Sequence, residues 1–217
     1  MGIWQLLNVS THIFAGSLIL LLGVGSLLTE KGSSRHKWFG RYFLWGYSVV
    51  LFSAIIGVMF FRSPPALAAV TLAATYGFVS GYRSLRMKHY GPGALDQSFA
   101  LIALALCGYF MTVLHSGGSS SWPPAMGYST ISIVSTYALY DVSRVLWRKK
   151  WVKSVWPIDH GVKMVGAYFA AASAASGNIL RDFQPWSQVM PSVIGTVITL
   201  WLVYRYIAKR RVIARLA

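Results

Sequence analysis

Apolar runs of about twenty residues recur along the chain, and the gaps between them are short and basic. Seven such runs can be drawn: Gln5–Leu28, Phe39–Phe61, Pro65–Tyr82, Leu95–His115, Pro124–Leu146, Pro157–Ile179 and Val189–Ala208. Runs of that length suit helices crossing a bilayer of about 30 Å. They are too long for the strands of a membrane barrel, and a lipid-exposed backbone must satisfy its own hydrogen bonds, so helices are expected. The first run carries Asn8, Ser10 and His12 and has no basic leader, which predicts a true span rather than a signal peptide. The pattern predicts an all-α integral membrane protein: a single seven-helix transmembrane bundle over residues 1–217, with no soluble domain left over.

Composition agrees with the pattern. Hydrophobic residues make up 55% of the 217, charged residues only 12%, and the mean hydropathy is +0.53. Soluble domains carry about 25% charged residues, so this chain lacks the polar surface to cover a globule in water. The net charge of +15 would fit a nucleic-acid binder if the cations were spread through a soluble fold. They are instead packed into the gaps between apolar runs, which excludes that class. The lone Cys107 allows no internal disulfide.

The placement of the cations predicts orientation. All but three of the 20 Lys and Arg fall on one side, in or at the edges of the gaps after the first, third and fifth runs and at the end of the seventh. The exceptions are Arg62 and Arg181 on the other side, and Lys163 inside the sixth run. Cytoplasmic loops are the ones rich in Lys and Arg. The N-terminus is therefore expected outside and the C-terminus in the cytoplasm, as in a multi-pass protein of a bacterial inner (plasma) membrane. The stretch KGSSRHKWFGRY, Lys31 to Tyr42, becomes a cytoplasmic turn held in place by its cations. Anionic lipid at that face is the expected partner, and no nucleic acid. Most of the nine Trp, including Trp4, Trp38, Trp122, Trp147, Trp151, Trp156 and Trp186, fall near predicted interfaces as an aromatic belt would.

Polar groups inside the membrane are the candidates for chemistry, because burying them is costly. Four of the five acids, Glu30, Asp96, Asp141 and Asp159, belong to the cytoplasmic half; Asp182 is outside. The histidines divide as well. His12 and His115 fall in the outer half; His36, His89 and His160 fall in the inner half. By helical rise His12 lies roughly 10 Å below the outer surface and His160 roughly 5 Å above the inner one. His12 shares a stripe with Ala15, Gly16, Ile19 and Gly23, and His160 one with Lys163, Met164, Ala167, Ala171 and Ala174. Such small-residue stripes mark close helix contact, so a structural hydrogen bond between helices competes with any ligand role. His89, in MKHYGPG, reads as solvated, and His36 as touching headgroups or a carboxylate. Asp141 and Arg144, three apart, read as a local ion pair.

The pattern of His12, Gly16 and Gly23 followed by KGSSRHKWFGRY, with the later HGVKMVGAYFAAASAASGN, resembles a bacterial family of predicted membrane proteins of unknown function. That family has a first-span His, a Gly-Ser-x-x-His-Arg-x-x-Gly-Arg turn, and a later His-x-x-x-Met-x-x-Ala-Tyr segment. The resemblance covers about a third of the chain and departs from the family at Lys37, where Arg is usual. It carries over to His12, Gly32, His36, Gly40, Arg41, His160, Met164 and Tyr168. It implies a multi-span helical membrane protein and brings no reaction with it.

Three functional classes remain. The leading one is a b-type haem or quinone redox protein. His12 with His115 would hold an outer site and His36 with His160 an inner one, with Arg41 and Lys163 neutralising anionic groups. The two levels would lie roughly 15–20 Å apart. The second is a metal-dependent membrane enzyme, with zinc on the cytoplasmic side drawing on His36, His160, Asp96, Asp141 and Asp159. The third is a non-catalytic protein that binds or transports a lipid or small molecule through a polar inner cluster of Arg41, Asp96, Asp141, Asp159 and Lys163. In that class the charges could also be a self-compensating network. Seven spans alone carry no function.

Overall fold

The structure is a computed structural model that describes residues 2–61, 65–116 and 124–216. Arg62, Trp122 and most of the loop after His115 lie outside the described residues. Every long apolar run forms a helix: α1 (Ile3–Leu28), α2 (Ser34–Phe60), α3 (Pro65–Arg86), α4 (Ala94–His115), α5 (Pro124–Ser143), α7 (Trp156–Ile179) and α8 (Trp186–Leu216). A short α6 (Arg148–Lys150) continues through a π-helical turn, Trp151–Val155, into α7. No strand occurs among the described residues.

Four helices, α1, α2, α4 and residues 186–211 of α8, are both long and apolar enough to cross a membrane. Their outward faces carry large apolar side chains, such as Phe14 and Leu21 on α1, Phe52 on α2 and Trp201 on α8. Apolar surface on that scale is what a membrane or protein–protein interface presents.

The chain divides into two compact units: Met1–Tyr76 with Phe99–Tyr140, and Gly77–Ser98 with Asp141–Ala217. In the first, α1 and α2 form a tight antiparallel hairpin. The buried positions of α1 are Ala15, Ile19 and Gly23, the small-residue stripe seen in the sequence. Gly46 of α2 sits against the fully buried Ile19, so close that a Cβ there would lie 2.6 Å from its Cγ2. The hairpin turn is tighter than the basic stretch implied. Gly32, with φ of +84°, turns the chain, a conformation that glycine alone adopts without cost. Ser33 then caps α2 by accepting a hydrogen bond from the His36 backbone N–H at 3.2 Å. Most of KGSSRHKWFGRY is thus the first two turns of α2 rather than a loop.

In the second unit α7 and α8 pack as another hairpin. Its close approach is made by Gly195, where a Cβ would fall 2.5 Å from the Phe169 ring. The basic segment WRKKWVKSVW, expected as a cytoplasmic gap, is helical along most of its length. Its Trp151 is wholly buried rather than placed in an interfacial belt.

Candidate functional site

Four charged side chains in the second unit are buried together. Asp141 comes from the last turn of α5 and Arg144 from the turn just after it; Asp159 and Lys163 are one turn apart on α7. Each side chain is 1% exposed. Arg144 Nη2 lies 3.2 Å from Asp141 Oδ1, and Arg144 Nη1 lies 2.7 Å from Asp159 Oδ2. Lys163 Nζ closes the figure, 2.5 Å from Asp141 Oδ1 and 2.8 Å from Asp159 Oδ1. The result is a ring in which acid and base alternate and the net charge is zero. Isolated charges in an apolar interior would be prohibitive; a closed pairing with satisfied hydrogen bonds is the form in which they are tolerated.

Asp159 is engaged from several elements. Besides Lys163 and Arg144, it accepts hydrogen bonds on Oδ2 from Ser84 Oγ of α3 at 3.0 Å and from Trp151 Nε1 of the π-helical turn at 3.0 Å. Ser84's hydroxyl also lies 2.9 Å from the Ser80 carbonyl oxygen. The Arg144 guanidinium carbon lies 5.3 Å from the centre of the Trp151 ring, a cation–π contact on the ring's face. The extra residue of the π turn re-aims side chains relative to an ordinary helix, and it accompanies an indole N–H pointing at the ring.

A second, shallower pair stands beside this core. Arg83 Nε donates to Asp96 Oδ1 at 2.5 Å, and Asp96 Oδ2 accepts from the Gly93 backbone N–H at 3.0 Å, fixing the start of α4. Gln97 Nε2 donates to the Asp141 carbonyl at 3.2 Å. Arg148 Nε donates to the Tyr90 carbonyl at 2.7 Å.

The histidines behave differently from the acids. His12 Nδ1 lies 2.8 Å from Ser53 Oγ of α2, and that hydroxyl donates onward to the Val50 carbonyl at 2.8 Å. His36 Nδ1 lies 3.1 Å from the Ser26 carbonyl oxygen at the end of α1. His160 Nδ1 lies 2.9 Å from the Gly81 carbonyl oxygen of α3. These oxygens assign the proton to Nδ1 in all three, a tautomer inferred from the network. His115 is exposed at the end of α4, and His89 is exposed in its turn.

Of the sequence candidates, then, Asp141, Asp159 and Lys163 come together. Asp96 is bound to Arg83, and Arg41 is exposed on α2. The guanidinium in the core is that of Arg144, which the sequence assigned only to a local pair; that pair is present. The stripe expected through His160 is buried at Lys163 and Ala167 and half-buried at His160, Met164 and Ala171, with Asp159 buried beside it; Ala174 is exposed. Ser84 and Trp151 carried no signal in the sequence beyond a polar position on α3 and a Trp in a basic run. Among the described residues no three His, Cys, Asp or Glu side chains converge as metal ligands. A hollow of about 470 Å³ at the α1–α2 turn is lined by Leu28, Thr29, Glu30, Ser33, Ser34 and Arg35, without a histidine. No protein-family model matches the chain, and no curated protein or solved structure matches it.

Proposed function

We propose that the chain is a seven-span membrane protein, N-terminus outside and C-terminus cytoplasmic, that binds or transports a small molecule and carries no cofactor chemistry in its charged core. The observation that carries this reading is the closed ring of Asp141, Arg144, Asp159 and Lys163. Helices α3, α5 and α7 are 22, 20 and 24 residues long, about 30–36 Å at 1.5 Å per residue. That suffices for a bilayer core. They carry Ser84, Asp141, Asp159 and Lys163, and those side chains pair with one another and with Arg144. Their polarity is thus no obstacle to crossing, which supports three further spans. The bias of Lys and Arg supports the orientation, and with it a bacterial inner membrane whose anionic lipids face the basic gaps.

Ionisable groups inside a membrane default to a functional role. The ring does not favour the zinc alternative: both of its carboxylates are already paired with the Arg144 guanidinium and the Lys163 ammonium. A ligand-binding core that rearranges its charge pairs suits it better, because each base has two acids to choose between.

One observation favours a second reading, the b-type haem or quinone protein. His12 and His160 each direct Nδ1 at an oxygen, which leaves Nε2 as the ligating atom, the arrangement ligand histidines take. Haem bound there would supply one-electron chemistry. An absorption spectrum with elemental analysis of detergent-purified protein tests both readings. A colourless preparation without stoichiometric iron or zinc is expected. A red preparation with a Soret band that sharpens on reduction overturns the binding-class reading in favour of haem.

A further inference from the structure

Asp159 is held as a bound ligand is held. Its carboxylate receives Lys163 Nζ at 2.8 Å, Arg144 Nη1 at 2.7 Å, Ser84 Oγ at 3.0 Å and Trp151 Nε1 at 3.0 Å. These donors come from three separate elements: α3, the α5–α6 turn with the π-helical turn, and α7. Two are cations and two are neutral groups, and none is provided by the backbone around Asp159. A ring that needed charge balance alone would be complete with the two cations. The indole and hydroxyl add what cations lack, fixed directions toward one buried carboxylate. A few convergent polar groups in otherwise apolar walls is the make-up of small-molecule sites.

We propose that Arg144, Lys163, Ser84 and Trp151 form a carboxylate-binding site that Asp159 occupies in this conformation, and that a small external monocarboxylate takes its place when Asp159 is absent. The ligand class follows from the donors. Oδ1 faces one ammonium and Oδ2 faces a guanidinium, an indole and a hydroxyl, so the occupant needs two oxygens and one negative charge. This deepens the binding reading and rests on it: a ligand bearing a carboxylate would compete with Asp159 for the same four donors.

The test removes the tethered carboxylate and supplies a free one of matching size. Asp159→Ala keeps Cβ and vacates only the carboxylate, which formate matches. Asp159→Gly vacates the methylene too, which acetate matches. Each variant of the full chain is purified in detergent, and thermal unfolding is followed with increasing formate, acetate, or their neutral amides. Formate is expected to stabilise D159A, and acetate D159G, saturably. The rise should reach roughly 5–10 °C at about a hundred times the dissociation constant, with little change in wild type and none with the amides. The proposal is overturned if the carboxylates shift the variants no more than wild type, or if the amides act equally well. It is overturned too if neither variant yields a monodisperse protein even when its matching carboxylate is present throughout preparation. A failure here leaves the colourless, iron-free preparation as it was, and a red preparation condemns the binding class whatever the carboxylates do, so the two failures are told apart.

Discussion

Replacing Lys163 by Met keeps most of the side chain's length and volume and deletes one charge. The packing loss is small, since volume-conserving exchanges in a core cost under about 1.5 kcal/mol. The electrostatic loss is not. Lys163 Nζ serves two carboxylates, at 2.5 and 2.8 Å, and its removal leaves the ring with two carboxylates and one cation, Arg144, a net charge of −1 in a site 1% exposed. Removing one partner of a buried ion pair costs about 3–5 kcal/mol, against a total stability of about 5–15 kcal/mol. At roughly 2–4 °C per kcal/mol for a chain of this size, unfolding of the detergent-solubilised protein should fall by about 6–20 °C. The deficit should hardly change between low and high salt, because buried charges are poorly screened. A K163M protein that unfolds within about 2 °C of wild type, or one whose deficit vanishes in high salt, would refute the reasoning. Either result would mean that water reaches the site and solvates the carboxylates.

Three further expectations are open to the same unfolding assay. Trp151→Phe keeps the ring against Arg144 but removes the Nε1–H donated to Asp159, and should cost about 1.5–3 kcal/mol, the range for hydrogen bonds to charged groups. Gly46→Ala forces a Cβ to within 2.6 Å of the Ile19 Cγ2; overpacking of that kind should cost about 1–3 kcal/mol, seen as a loosened α1–α2 hairpin in limited proteolysis. Ser33→Ala removes the cap on α2 and should cost about 1 kcal/mol; a loss above 3 kcal/mol would mean that Ser33 does more than cap.

The helices were legible in the sequence because membrane length imposes a period on apolar runs that needs no tertiary information. The Asp141–Arg144 pair was legible for a related reason: an offset of three falls on one helix face. The rest of the ring joins residues far apart in sequence, Ser84 with Asp159 and Asp141 with Lys163, and single-sequence patterns carry no such pairing. Trp151 misled because WRKKWVKSVW has the composition of an interfacial gap. What buries its indole is the π turn and the carboxylate it points at, and neither leaves a mark in composition. The contact of His36 Nδ1 with the Ser26 carbonyl joins the two ends of the α1–α2 turn, a pairing that the basic composition of the stretch does not reveal.

A double-mutant cycle across Asp141 and Lys163, read as unfolding free energy, bears most directly on the buried ring. Asp141→Asn and Lys163→Met each unbalance it by one charge; together they leave Arg144 and Asp159 as a neutral pair with Ser84 and Trp151 still in place. The double variant should be more stable than the sum of the two single losses by about 1–3 kcal/mol, the range for residues in one network. Additivity within about 0.5 kcal/mol would show the two charges to be independent, and the ring would then not exist as a unit.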